Sequence, residues 1–156
     1  MKAIIQRVTR ASVEVDGQIV GRIGLGLLVL LGVAKGDEER DVSYMVEKLH
    51  TLRIFGDAQG KMNRSLIDVG GALLIVSQFT LLGETGKGRR PGFDLAASPE
   101  AARALYDEVV RRVRCAGLPV ETGIFGAHMQ VELLNDGPVT FILDSRRPAE
   151  HADLKS

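Results

Sequence analysis

Gly26-Leu27-Leu28-Val29-Leu30-Leu31-Gly32-Val33 contains no polar or charged side chain. A half-buried strand alternates apolar and polar residues. A short run that is apolar at every position instead predicts a strand buried on both faces. Such a strand belongs inside a sheet with material on either side, and the segments around it are read from that constraint.

Upstream, residues 2–15 read as a strand rich in β-branched residues. Asp16-Gly17 is a strong hairpin signal, because glycine tolerates the positive φ of a tight turn. Residues 18–23 return as the partner strand. Downstream the period changes. Val42, Met45, Val46 and Leu49 fall at i, i+3, i+4 and i+7, which is one face of a helix. Residues 52–55 suggest a short strand, 57–60 a turn and 61–71 irregular chain. Residues 72–77 form a second buried strand, followed by a polar, glycine-rich loop over 82–98. Ser98-Pro99-Glu100 opens a helix with a capping hydroxyl, a proline at the first helical position and an acid at the positive end of the dipole. Leu105, Val109 and Val113 recur along it, and Gly117 with Pro119 stops it. Residues 120–125, 129–134 and 139–144 read as strands, with Asn135-Asp136-Gly137-Pro138 as a turn. The segment 145–156 is polar and is expected to fray.

The expected architecture is α+β: antiparallel or mixed β-sheets packed in layers, with two main helices on one side, a β-β-α sandwich. The expected organisation is a single domain over 1–145 and a polar tail over 146–156. A chain of 156 residues that is 45% hydrophobic and 26% charged suits one folded unit. No run approaches the roughly 18 apolar residues of a membrane span, and the N-terminus opens directly into a strand pattern. Cys115 is the only cysteine, so no disulfide can form within the chain. A reducing, cytoplasmic setting is expected.

The formal net charge is zero. Generic affinity for nucleic acid comes from Lys and Arg, so any RNA binding must be local. The candidate clusters are Lys87-Gly88-Arg89-Arg90, Arg111-Arg112-Val113-Arg114 and Arg146-Arg147. Two glycine-rich stretches imitate phosphate loops. Residues 21–26 lead into a strand where a dinucleotide site needs a helix. In residues 83–88 the spacing before Lys87 is short, and Gly88 stands where Ser or Thr would bind magnesium. His50, His128 and His151 lack metal-ligand spacing, so no metal or other cofactor is expected. Ser77 lacks the surroundings of a nucleophile elbow.

Ser77-Gln78-Phe79-Thr80 continues directly from an aliphatic strand. Hydroxyl and amide groups suddenly replace aliphatic ones at its end. Read alone, this is either a polar site or an ordinary strand terminus. Gly137-Pro138, read alone, is only a turn.

Six ordered segments together resemble the D-aminoacyl-tRNA deacylase family. They are Gln6-Arg7-Val8-Thr9-Arg10-Ala11, residues 26–33, Ser77-Gln78-Phe79-Thr80-Leu81, Arg90-Pro91-x-Phe93, Phe125-Gly126-Ala127-x-Met129-x-Val131 and Asn135-Asp136-Gly137-Pro138-Val139-Thr140. Gly92 stands where the family commonly has Ser. The resemblance implies hydrolysis of the ester joining a D-amino acid, or mischarged glycine, to the 3′ end of tRNA. It implies a homodimer with the active site at the interface, into which a cis Gly137-Pro138 peptide projects from the other subunit. Arg7 would brace that loop. Ser77, Gln78, Phe79 and Thr80 would bind and orient the ester and water, and the terminal 2′-hydroxyl of the RNA would assist. Phe125 and Met129 would help form an adenosine pocket, and the loop Lys87–Arg90 is a candidate phosphate contact. No DNA or membrane partner is implied. Two alternatives stay open: an esterase with a Thr80 or Ser77 nucleophile, and a non-catalytic RNA-binding module. An outward position for Arg7 and plain core packing for Phe125 and Met129 stay open as well.

Overall fold

Leu27, Val29 and Leu31 of the all-apolar octet enter one hydrophobic cluster, and Leu28 enters another. The strand is therefore buried on both faces, as its sequence predicts. The computed structural model describes residues 1–146. In chain order the elements are β1 (Lys2–Val15), β2 (Gln18–Ile23), β3 (Gly26–Gly32), α1 (Glu39–Thr51), β4 (Phe55–Gly56), β5 (Met62–Arg64), β6 (Ala72–Ser77), a 3₁₀ turn (Phe79–Leu82), α2 (Pro99–Cys115), β7 (Val120–Thr122) and β8 (Gln130–Asp144).

The long strand β1 organises the main sheet. On one edge it pairs antiparallel with β3 through residues 2–8 and with β2 through residues 11–15. On the other it pairs antiparallel with β8. The parallel pairs β3–β6 and β6–β7 extend the sheet. The two ends of this path approach one another. A Cβ on Gly21 of β2 would stand 2.4 Å from the Thr122 carbonyl oxygen of β7, so only glycine lets the sheet curl this far.

Each face of the curled sheet has its own core. Leu27, Val29, Leu31, Leu73 and Ile75 pack with Val42, Met45 and Leu49 of α1 and with Val109 and Val113 of α2. Inside the curl, Leu28, Leu74 and Val76 meet Val8, Val13 and Ile23, and Met129 and Val131 pack against them. Full burial of an aliphatic side chain stabilises by about 1.5–3 kcal/mol. The alternation of β3 and β6 thus builds both layers at once. The α+β expectation holds, and so do both helices. Ser98 caps α2 by accepting a hydrogen bond from the Ala101 N–H.

Three boundaries differ from the sequence expectation. The strand expected over 52–55 is reduced to Phe55–Gly56, which pairs with the unexpected β5 inside the irregular stretch. The strand expected over 120–125 ends at Thr122. There a Cβ on Gly123 would lie 2.5 Å from the Met129 sulfur, and the chain turns away. The turn expected at 135–138 interrupts no strand: β8 runs unbroken from Gln130 to Asp144. Its pairing steps from Asn135 opposite Val8 to Thr140 opposite Gln6. Residues 136–139 therefore bulge out where β1 spends only Arg7. The turn-forming residues are real, but β1 continues past them as a template and the strand resumes.

The polar segment expected to fray begins with anchored residues. The Ser145 N–H donates to the Met1 carbonyl, and Arg146 pairs with Asp37 at 2.9 Å. Residues 147–156 lie outside the described residues.

Candidate active site

At its C-terminal end β6 leaves the sheet and forms the 3₁₀ turn 79–82. The Gln78 N–H still donates to the Leu31 carbonyl at 2.8 Å, which keeps the turn against β3. Gly32 makes the approach possible. A Cβ there would stand 2.6 Å from a Leu82 methyl and 2.8 Å from the Gln78 carbonyl oxygen. The first N–H groups of such a turn have no carbonyl one turn behind them, so the Phe79 and Thr80 N–H groups are not used within the turn.

Beside this turn lies a cavity of about 280 Å³ lined by Ser77, Gln78, Phe79, Tyr106, Phe125 and Met129, among others. Its volume is at the small end for ligand sites, which suits one nucleoside or one amino acid. Five sequence candidates from two distant segments thus share one space. Thr80, next in the turn, is not among the residues lining the cavity; its hydroxyl accepts a short hydrogen bond from the Gln78 amide. Among the described residues, no histidine, lysine or carboxylate hydrogen-bonds the Ser77 or Thr80 hydroxyl.

Tyr106 and Ala102, not singled out from sequence, and His128, weighed there only as a metal ligand, also line the cavity. Tyr106 lies on the inward face of α2, three residues before Val109, and helical periodicity marks it as core. Its phenol donates to the Ile75 carbonyl at 2.6 Å. Burial pushes the phenol's pKa up to about 12, so it remains a neutral donor. Its ring lies 5.9 Å from that of Phe125, and the Arg103 guanidinium lies 5.8 Å from the same Phe125 ring. Phe125 thus packs on its neighbours and also faces the cavity.

Arg7, Gly137 and Pro138 do not line this cavity. They form a second cluster on the bulge between β1 and β8. Arg7 Nε donates to the Asp136 carbonyl at 2.9 Å, and its Nη1 donates to the Ile54 carbonyl at 2.8 Å. The Asp136 carboxylate lies 3.2 Å from Nε. The Asn135 amide donates to the carbonyls of Arg7 (2.9 Å) and Val139 (3.1 Å). A Cβ on Gly137 would stand 2.4 Å from both Asn135 Oδ1 and the Val139 nitrogen, so the held shape admits only glycine there. Arg7 faces this bulge instead of bulk solvent, and the Gly137–Pro138 peptide is cis. Leu134, Phe141 and Ile142 on the same strand are exposed, Ile142 by 68%.

Among the described residues, no group of three His, Cys, Asp or Glu side chains is placed to hold a metal ion, and no helix is long and apolar enough to cross a membrane.

Residues 4–144 match the family model described as D-Tyr-tRNA(Tyr) deacylase. The D-aminoacyl-tRNA deacylase of Pelobacter propionicus is 62% identical over 144 residues, spanning 92% of this chain and 99% of that protein. The D-aminoacyl-tRNA deacylase of Anaeromyxobacter dehalogenans is 61% identical over 147 residues, spanning 94% and 99%. A solved structure titled c-Myc DNA Unwinding Element Binding Protein superposes with a TM-score of 0.87 at 43% identity, covering 96% of this chain and all of that one. Near-complete coverage in both directions extends the likeness to the cavity and the bulge alike, and the chain belongs to the D-Tyr-tRNA(Tyr) deacylase family.

Proposed function

We propose that this chain hydrolyses the ester bond of D-aminoacyl-tRNA, and of tRNA mischarged with glycine, while sparing L-aminoacyl-tRNA. The observation that carries the proposal is the polar turn Ser77–Thr80 beside a small cavity walled by Phe125 and Met129, with no base at either hydroxyl among the described residues.

Ester hydrolysis needs a positioned water and donors aimed at the oxygen that gains charge. The N–H groups of Phe79 and Thr80 supply donors, and Ser77 and Gln78 orient the ester. A side-chain hydroxyl becomes a nucleophile only with an adjacent base. The arrangement around Thr80 therefore favours assistance by the 2′-hydroxyl of the terminal adenosine, whose base would stack against Phe125 and Met129. No cofactor is required.

Chirality is read by shape. D and L substrates carry the same atoms, so the site must exclude one by collision. In a homodimer the bulge of one copy, carrying Gly137-Pro138, enters the cavity of the other and presents carbonyl oxygens to the substrate α-carbon. A D-residue or glycine offers hydrogen and gains weak C–H···O contacts, whereas an L-residue offers its side chain and clashes. Ten-thousand-fold rejection corresponds to about 5.5 kcal/mol, within reach of a collision with a fixed backbone. Two observations support the shared site: the bulge residues do not line their own chain's cavity, and exposed Leu134, Phe141 and Ile142 flank the bulge. The lone cysteine and a tRNA substrate support a cytoplasmic setting.

Multiple-turnover release of D-tyrosine from D-tyrosyl-tRNA by nanomolar protein, with the L-form in parallel, is the test. Equal cleavage of both enantiomers removes the chiral reading, and cleavage of neither removes the assignment. Full-rate cleavage of a substrate ending in 2′-deoxyadenosine removes the RNA-assisted step and favours a Thr80 or Ser77 nucleophile.

A further inference from the structure

The sequence holds three basic clusters, and the fold uses two of them internally. Arg111 and Arg112 are both engaged by Glu108, and Arg112 also reaches Glu39 on α1. Arg114 donates to the Val120 carbonyl. Arg146, the described member of the third cluster, pairs with Asp37. Lys87, Arg89 and Arg90 are different. All three are exposed and make no hydrogen bond or ion pair among the described residues.

Their position is set by the candidate site. The 3₁₀ turn that walls the cavity ends at Leu82. Two residues later, the Glu84 N–H donates to the Gly92 carbonyl at 2.8 Å, and the Gly92 N–H donates back to Glu84 at 2.9 Å. This pair closes a hairpin whose tip contains all three cations. The Phe93 ring, just past the hairpin, meets the cavity-lining Phe79 edge-on at 5.1 Å. The hairpin base is thus fixed to the cavity wall. Lys87 is four residues beyond Gly83, a reach of at most about 14 Å. Among the described residues, nothing lies within 4 Å of a Cβ built on Gly86, Gly88 or Gly92, so the tip stands clear of the described body.

We propose that this hairpin tip is a phosphate-binding arm, with Lys87, Arg89 and Arg90 gripping the RNA backbone next to the 3′ nucleotide held in the cavity. The inference rests on aminoacyl-tRNA being the substrate. A chain with no net charge has no diffuse attraction for RNA, so three unpaired cations beside the site supply affinity where the acceptor end enters. They touch phosphate rather than the ester, so they act on binding and leave the chemical step alone.

The test compares wild type with a K87A/R89A/R90A variant. Binding of fluorescently labelled uncharged tRNA is measured by anisotropy at 50 and 200 mM salt, and hydrolysis is measured on D-tyrosyl-tRNA and on D-tyrosyl-adenosine, which has no phosphate. Three phosphate contacts predict that wild-type affinity falls roughly 20- to 40-fold more than the variant's over this salt range. The variant's KM for D-tyrosyl-tRNA should rise at least tenfold with kcat unchanged, and D-tyrosyl-adenosine should be cleaved at the wild-type rate. Wild-type KM and salt dependence in the variant would overturn the proposal, as would equal impairment on both substrates. Lys87→Glu alone, at an exposed tip position, gives the same readout should the triple variant be insoluble. Anisotropy needs no turnover, so arm-dependent binding without any cleavage would support the arm while faulting the catalytic reading.

Discussion

Replacing Arg7 by Ala tests whether the bulge between β1 and β8 is held rigid for a purpose. Two guanidinium hydrogen bonds disappear, to Asp136 at 2.9 Å and to Ile54 at 2.8 Å. Hydrogen bonds to a charged group contribute about 1.5–3 kcal/mol each. The Arg7 side chain is 17% exposed, so water recovers part of the loss. The ion pair with half-exposed Asp136 adds little. The net loosening is about 3 kcal/mol, or roughly 100-fold in an equilibrium constant. Suppose that all of it reaches the collision excluding L-substrates. A ten-thousand-fold preference then falls to roughly a hundredfold, while cleavage of the D-substrate changes far less. Parallel deacylation of D- and L-tyrosyl-tRNA measures the ratio, and thermal unfolding tracks stability. Arg7→Lys keeps the charge without the planar fork and should fall in between. A folded Arg7→Ala protein with the wild-type enantiomer ratio would refute the bracing argument.

Other expectations concern stability. Gly26→Ala places a Cβ 1.8 Å from the Ala72 carbonyl oxygen, backbone against backbone between β3 and β6. It should cost more than about 3 kcal/mol or abolish soluble expression, since neither strand can yield. Gly92→Ser meets nothing within 4 Å and should stay within about 0.5 kcal/mol of wild type in urea unfolding. Tyr106→Phe keeps the ring but removes the donor to Ile75, and about 0.5–1.5 kcal/mol should be lost by the same measurement. Hydrogen bonds from Arg111, then Arg112, hold the Glu108 carboxyl at about 2, below its ordinary 4.5. Because the folded value is depressed, the stabilisation is present above pH 4.5 and lost as pH falls through 2. Glu108→Gln should therefore be less stable than wild type at pH 7, with the difference closing towards pH 2.

The cavity and the bulge were legible in the sequence to different degrees. Ser77–Thr80 stood out because polar groups replace aliphatic ones at a strand end. Tyr106 did not stand out, and His128 was weighed only as a metal ligand. A tyrosine at core spacing on a helix looks like packing, and only the crossing of α2 over β6 brings its phenol to the Ile75 carbonyl. The basic clusters looked alike as strings of residues. Their difference lies in partners such as Glu39, which is 73 residues from Arg112 along the chain.

The sequence by itself determined the two-sided burial of β3, both helices with the ends of the second, and the Asp16-Gly17 hairpin. Periodicity, capping and turn preference are local properties that survive in most surroundings. Tertiary structure decided what became of Asn135-Asp136-Gly137-Pro138. Locally these residues prefer a turn that would end the strand. Paired against the longer template of β1, they become a bulge, because the ladder on either side restores hydrogen bonds that a turn would forfeit. Arg7, more than a hundred residues away in sequence, then holds that bulge in shape.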